Sequence, residues 1–365
     1  MSNLERKPQE TPCGGRAAVA VEPVRELQFG AAVPLGGPRG MSVTRTLPNS
    51  VRRMVGPWCF LDYYGPDDIS GSGGMRVPPH PHTGLQTVTW LVSGEVLHRD
   101  SLGSRQLVTP GQLNLMTAGH GIAHSEESPA PHSPTLHGVQ LWTALPDRDR
   151  HASPHFAHLP NLPVLSDSGV TVTVIMGELG GAVSPADVYS PLVGVEAMLD
   201  ATADTRLPLQ PAWEYAALVL TGAVDIDGLV LRPNPLLYLG SGRADLPLAA
   251  ERTSRLLVIG GEPFEEHIVM WWNFVGRDHE DIVTARDDWV RADTRFGAVH
   301  GYHGDRLPAP ALPSVRLKPR GRHRWPARDR TPTVHWTSTC KGEQDDAIPS
   351  DRPARGSYWR SQGDV

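Results

Sequence analysis

Cysteine is scarce in this chain: Cys13, Cys59 and Cys340 are scattered and odd in number. That excludes a disulfide framework and a cysteine-based zinc knuckle, and it fits a reducing cytoplasm, the expected location. No run approaches 18 apolar residues, and the opening MSNLERKPQETPCGG lacks the apolar centre of a secretory signal. No membrane association is expected. Positive charge is not in excess, since 34 Lys+Arg stand against 40 Asp+Glu for a net charge of -6. That balance argues against direct nucleic-acid binding by the chain as a whole. A phosphate-cradling glycine loop is also missing, because Leu35-Gly36-Gly37-Pro38 precedes no evident helix.

Glycine and proline are abundant. With 37 and 35 copies they make up a fifth of the 365 residues, which excludes a mostly helical protein because both penalise helix interiors. Hydrophobic residues are 39% and charged residues 20%, enough apolar material for a sizeable core. The length predicts more than one domain.

Short β-branched and aromatic stretches cut by turns carry the fold. Thr87–Val92 stops at Ser93-Gly94, Gln106–Thr109 and Leu113–Met116 bracket Pro110-Gly111, and His137–Leu145 follows. A second set runs through Val170–Met176, Leu192–Leu199, Tyr215–Leu220, Val224–Ile226, Leu236–Leu239 and Arg255–Ile259. The two sets share an order of strand, glycine turn, strand, proline turn and strand. TVTWLVSGEV aligns with YAALVLTGAV, placing Gly94 opposite Gly222. The pattern predicts a duplicated all-β protein. Residues 1–24 read as a disordered tail, 25–150 as the first domain, 151–163 as a proline-rich linker and 164–262 as the second domain. Residues 263–315 read as a helical extension, with Asp278 as N-cap, Glu280 and Asp281 in the first turn, and Ile282, Ala285 and Trp289 on one face. The polar remainder, 316–365, reads as disordered, with seven Lys/Arg between Arg316 and Arg330 forming a solvated basic run.

Seven of the 16 histidines fall between His80 and His137. His80-Pro81-His82 precedes a strand, and His124-Ser125-Glu126 repeats the i, i+2 spacing. Residues two apart on a strand face the same way, so these pairs can converge on one interior. Three imidazoles and a carboxylate leave two positions open on an octahedral cation, a set suited to iron(II), manganese, nickel, copper or zinc. His120, between Gly119 and Gly121, and Met75 are candidate cavity-lining residues. Phe60 and Trp90, with Met75, read either as an apolar substrate wall or, more in keeping with their type, as core. His98-Arg99-Asp100-Ser101 reads as a turn with internal hydrogen bonds.

His80–Gly84 (HPHTG), Thr87–Leu91, His98–Gly103 (HRDSLG), Met116–Glu126 (MTAGHGIAHSE) and Gln140-Leu141-Trp142 resemble the N-terminal domain of the pirin family. Gly260–Met270 (GGEPFEEHIVM) with Asn273-Phe274-Val275 resembles the end of its C-terminal domain. The resemblance covers roughly residues 25 to 290. It implies the cupin superfamily: an all-β chain of two cupin-type β-sandwich barrels (double-stranded β-helix), monomeric, with one divalent transition metal in the first barrel only. It implies His80, His82, His124 and Glu126 as metal ligands and iron(II) as the metal. Where the general cupin pattern has a glutamate after the HxH pair, this chain has Gln86, so the carboxylate comes from Glu126. In the second half Pro211-Ala212-Trp213-Glu214 stands where HPH would be. The activity implied is that of a quercetin 2,3-dioxygenase, opening a flavonol with O2, with Glu126 accepting the 3-hydroxyl proton. The alternative is a non-catalytic, redox-sensitive metal-binding regulator whose partners are transcription factors or metabolic enzymes.

Overall fold

The structure, a computed structural model, describes residues 23–34 and 41–319, with short strands also at Thr11–Gly14 and Arg360–Ser361. The tail expected at 1–24 and the basic run to Arg330 lie largely outside the described residues.

The first barrel is built from ten strands: β1 (Ser42–Leu47), β2 (Trp58–Asp68), β3 (Arg76–His82), β4 (Leu85–Ser93), β5 (Val96–Asp100), β6 (Arg105–Val108), β7 (Leu113–Thr117), β8 (Ile122–Glu127), β9 (Thr135–Ala144) and β10 (His155–Leu159). Two antiparallel sheets face each other. The larger runs β10-β7-β4-β9-β2-β1 and ends on Ala31–Pro34; the smaller runs β3-β8-β5-β6. Gly94 turns β4 into β5 with φ 83°, and the matching Gly222 turns its hairpin with φ 79°. A side chain at either would meet backbone carbonyls or Ser254 below 3 Å, so the aligned glycines mark the same left-handed turn in both halves.

The second barrel repeats the plan. Its larger sheet includes Leu236–Gly240, Glu214–Thr221, Ser254–Gly261, Leu192–Leu199 and Val170–Leu179, and its smaller sheet pairs Asp204–Pro208, Asp245–Ala249, Val224–Ile226 and Leu229–Leu231. Its interior is filled by aliphatic side chains such as Val172, Val174, Leu207, Leu237 and Leu246. The two larger sheets pack together through Trp90, Leu115, Val139 and Leu141 on one side and Ala216, Leu218, Leu236 and Ile259 on the other. Trp58 pins this interface: its indole N–H is shared between the carbonyls of Val193 at 3.2 Å and Gly260 at 3.0 Å.

Four segment assignments change, the first being that residues 263–315, read as a helical extension, hold two strands, His267–Trp271 and Phe274–Gly276, and a helix over His279–Val290. Residues 155–159, read as linker, form β10 and pair with β7 in the first barrel; Pro154 and Pro160 hid the strand because they flank it rather than interrupt it. Glu26–Gln28, read as the start of the first domain, pairs with Leu236–Gly240 of the second. The chain is still packed at Leu317, which is buried while its amide donates to His279 Nδ1 at 3.1 Å. The helix α1 (His279–Val290) matches its sequence signals: Asp278 caps it by accepting from the Asp281 amide, and Ile282, Ala285 and Trp289 are its buried residues. It packs on Trp271, Trp272 and Phe274.

Candidate metal centre

The smaller sheet of the first barrel positions the site. In its antiparallel register His124 on β8 lies opposite His80 on β3 and Asp100 on β5, while Glu126 lies opposite His98. Strand alternation sends His80, His82, His124, Glu126, His98 and Asp100 to the interior, and all six are buried. Ring nitrogens of His80, His82 and His124 lie within 4.8 Å of one another. This is a histidine cluster able to hold a divalent metal.

Each ring is set by a hydrogen bond behind it. His80 Nδ1 is 2.8 Å from the Pro78 carbonyl and His82 Nδ1 3.2 Å from the Asn273 carbonyl. A carbonyl only accepts, so both Nδ1 atoms carry the proton and both Nε2 atoms are bare. For His124 the lock has two steps. His98 Nε2 donates to Asp100 Oδ2 at 3.2 Å, which leaves His98 Nδ1 as the acceptor for His124 Nδ1–H at 3.4 Å. Asp100 is itself held, its Oδ1 accepting the Leu102 and Ser104 amides at 2.9 Å. Burial pushes the Asp100 carboxyl up, but the His98 donor and the Ser104 amide outweigh it and hold it below the usual carboxylate range. With the His124 proton on Nδ1, all three Nε2 atoms are bare. His82 Nε2 and His124 Nε2 face each other at 3.1 Å, and His80 Nε2 is buried with no hydrogen-bond partner among the described residues. Two facing lone pairs and an orphaned third repel unless a cation sits among them, so this donor set fits a resident metal.

Burial pushes all three rings down, His80 to about 4 and His82 and His124 well below the ordinary imidazole value, and the charge of neighbouring histidines adds to it. Near pH 7 they are neutral and ready to ligate. The sign of the pH effect follows. A histidine depressed from 6.5 to about 4 stabilises the fold above pH 6.5, and that stability is lost as pH falls toward 4. For His80 alone the loss is of order 3 kcal/mol. Urea unfolding of the metal-free chain is therefore expected to weaken between pH 6.5 and 4, with a shallower slope in His80→Asn. An equal slope in the variant would contradict the burial argument.

The larger sheet forms the opposite wall. Thr89 Oγ1 lies 2.9 Å from Gln140 Oε1 and 3.5 Å from Glu126 Oε1. Trp142 meets the His82 ring edge-on at 5.1 Å and stacks on Phe60 at 3.9 Å. Tyr64 Oη, Gln140 Nε2 and Trp142 Nε1 are buried donors without a partner among the described residues. Burial, with the Glu126 charge added, holds the Tyr64 phenol well above its usual value, so it stays protonated.

The other residues singled out in the sequence are placed as follows. Glu126 faces the chamber beside Thr89, outside the group of three histidines. His120 is exposed on its loop with Nδ1 3.3 Å from the Ala152 carbonyl, away from the chamber. Met75 is buried among Tyr64, Ile69 and Val77 and lines an outer groove instead. Trp90 packs between the barrels and donates to Glu196. Gln86 is absorbed by Thr117, Thr143 and the Asp187 carbonyl. His98 and Asp100, read as a turn, are instead the end of β5 and the support of His124. Asp100 does both jobs, one oxygen on His98 and the other capping the turn that follows. Glu214, where the second half has no HxH pair, bonds the Gly56 amide and the Tyr238 hydroxyl, both at 2.7 Å.

Comparison with known proteins agrees with this architecture. Residues 40–143 match the Pirin family and residues 194–297 match the Pirin C-terminal cupin domain. A Pseudomonas aeruginosa protein named as a candidate quercetin 2,3-dioxygenase is 46% identical over 282 residues, spanning 77% of this chain and 89% of that protein. A pirin-like protein of Caulobacter vibrioides is 37% identical over 275 residues, spanning 73% and 94%. A crystal structure of quercetin 2,3-dioxygenase from Acinetobacter baumannii superposes with a TM-score of 0.77 at 42% identity, covering 80% of this chain and 98% of that one.

Proposed function

The chain belongs to the pirin family, and we propose that it is an iron(II)-dependent dioxygenase that opens a flavonol, with His80, His82, His124 and Glu126 holding the metal. The observation that carries this reading is the pairing of three bare imidazole Nε2 atoms on one wall with three partnerless buried donors, Tyr64, Gln140 and Trp142, on the other. A ligand rich in oxygen atoms, bound to the metal at one edge, would satisfy both. The relatives named for quercetin 2,3-dioxygenase activity support the same substrate class.

The overall reaction balances without a further reductant. Both atoms of O2 enter the opened ester product, and C3 of the flavonol leaves as carbon monoxide. The metal would supply Lewis acidity for the enolised substrate and electronic access to dioxygen. This chain's own residues do the rest. Glu126 accepts the 3-hydroxyl proton, and Thr89 donates to Gln140 Oε1 at 2.9 Å, which turns Gln140 Nε2 toward the substrate. Tyr64 and Gln140 donate to substrate oxygens, while the Phe60–Trp142 stack flanks the ring system beside His82. Burial of the whole chamber excludes water that would compete for the open positions.

The test is oxygen consumption with carbon monoxide release from quercetin by iron-loaded protein. Release well above that of free iron is expected. No release with any of several flavonols would overturn the dioxygenase reading and leave the regulatory one, in which a protein partner binds differently to the iron(II) and iron(III) forms. Tyr64→Phe and Gln140→Leu are each expected to weaken flavonol binding about ten-fold, read by tryptophan quenching, with metal content unchanged.

The Asp100–His98–His124 lock gives a separate expectation. His98→Ala should leave the fold intact but weaken metal affinity about 10–100-fold, the usual cost of losing a partner that orients a ligand. Competition with a chromophoric chelator measures it; an unchanged affinity would show that His98 does not set the His124 ring.

A further inference from the structure

The outer face of the metal-bearing sheet carries a second concentration of charge. Side chains alternate along a strand, so Arg99, between His98 and Asp100, and Glu127, next to Glu126, point away from the barrel interior. Arg99 on β5 stands directly opposite Arg105 on β6. Arg76 on β3 stands opposite Glu127 on β8. All four line a groove of 890 Å³ whose floor includes Leu97 and Met75. None of the chamber histidines lines it.

Three guanidinium groups thus meet one carboxylate. Glu127 is taken by Arg99, whose side chain is only 12% exposed. Arg76 is anchored by its donors to the Tyr302 hydroxyl and the His303 carbonyl. The Arg105 side chain makes no hydrogen bond or ion pair among the described residues. Like charges directly opposite on neighbouring strands destabilise a sheet, so the Arg99–Arg105 pairing contributes nothing to the fold by itself. The excess over Glu127 is two positive charges.

We propose that this groove binds a phosphate monoester, with the phosphate bridging Arg99 and Arg105. The charge matches: a monoester carries about -1.5 to -2 at neutral pH. The chemistry matches as well, because the planar guanidinium fork suits paired phosphate oxygens. The volume accommodates a small organic body beyond the phosphate, against the apolar floor.

Calorimetric titration of the metal-loaded full chain with inorganic phosphate and with methyl phosphate, at ionic strength fixed by chloride, tests this. One site per chain is expected, weakened about ten-fold to a hundred-fold in Arg105→Gln and partly recovered in Arg105→Lys, with metal content unchanged in both. The same titration on chelator-stripped protein is expected to give the same affinity. Phosphate binding that disappears on metal removal places the anion at the metal and overturns the proposal. So does an affinity indifferent to Arg105→Gln, the absence of binding in the parent chain, or malonate binding as tightly as phosphate.

Discussion

His124→Ala is expected to leave the protein folded and empty of metal. His124 sits at the centre of the cluster, 3.1 Å from His82 Nε2 on one side and 3.4 Å from His98 Nδ1 on the other. Its removal takes away one bare nitrogen and leaves His98 Nδ1 without its His124 contact. Alanine is tolerated by the backbone, because β8 is held on both edges by β3 and β5. Metal content should fall from about one per chain to near zero, since an open site depends on every one of its few ligands. The proposed dioxygenase turnover should fall about a thousand-fold or more, the rate equivalent of losing several kcal/mol of metal-supplied stabilisation. The thermal stabilisation that added iron(II) gives the parent chain should also vanish. Retained metal at full occupancy would place the centre elsewhere.

The second large effect is structural and lies beneath the chamber. Arg45 and Asp62 form a bidentate pair at 2.8 and 2.9 Å, with Asp62 fully buried. The Arg45 guanidinium lies over the Phe60 ring at 4.5 Å, and Phe60 stacks on Trp142 beside His82. The pair therefore props the aromatic wall of the site. Asp62→Ala leaves a guanidinium in low dielectric without its carboxylate, which costs about 3–5 kcal/mol. Urea unfolding of the first barrel should show that loss. The double variant Arg45→Met/Asp62→Leu should recover most of it, because two apolar residues of similar volume carry no desolvation cost. A single variant as stable as the parent would show that the ion pair is not the support of this wall.

Much of this architecture was legible in the residues. The start and the apolar face of helix α1 could be read because their signals are local, with Asp278 as cap, acidic residues in the first turn and Ile282, Ala285 and Trp289 on one side; its end and the two strands before it could not. The HPH and HSE pairs stood out because both partners of each are metal-ligating types at strand spacing. His98 and Asp100 have the same spacing on the strand between them in space, yet they read as a turn. Asp100 and Gly103 give a real turn signal, and it masked the strand that ends at Asp100. The Asn273 carbonyl that sets His82 had no signature at all, since any residue supplies a backbone oxygen; only the long-range bridge between Thr83 and Phe274 brings it there. The partnerless donors of Tyr64, Gln140 and Trp142 were equally silent. Their meaning depends on which face of β2 and β9 looks inward and on what stands opposite. Strand β10 was hidden by its flanking prolines, although Phe156 and His158 alternate inward, Phe156 stacking on His98 at 4.4 Å and His158 bonding Asn114.

The most direct measurement is anomalous diffraction at the iron edge from crystals of iron-loaded protein. One peak is expected per chain, bonded to the Nε2 atoms of His80, His82 and His124 and to a Glu126 oxygen, with every Nδ1 still turned to its carbonyl or to His98. A peak outside this cluster, a second peak within the other barrel, or coordination through Nδ1 would contradict the account.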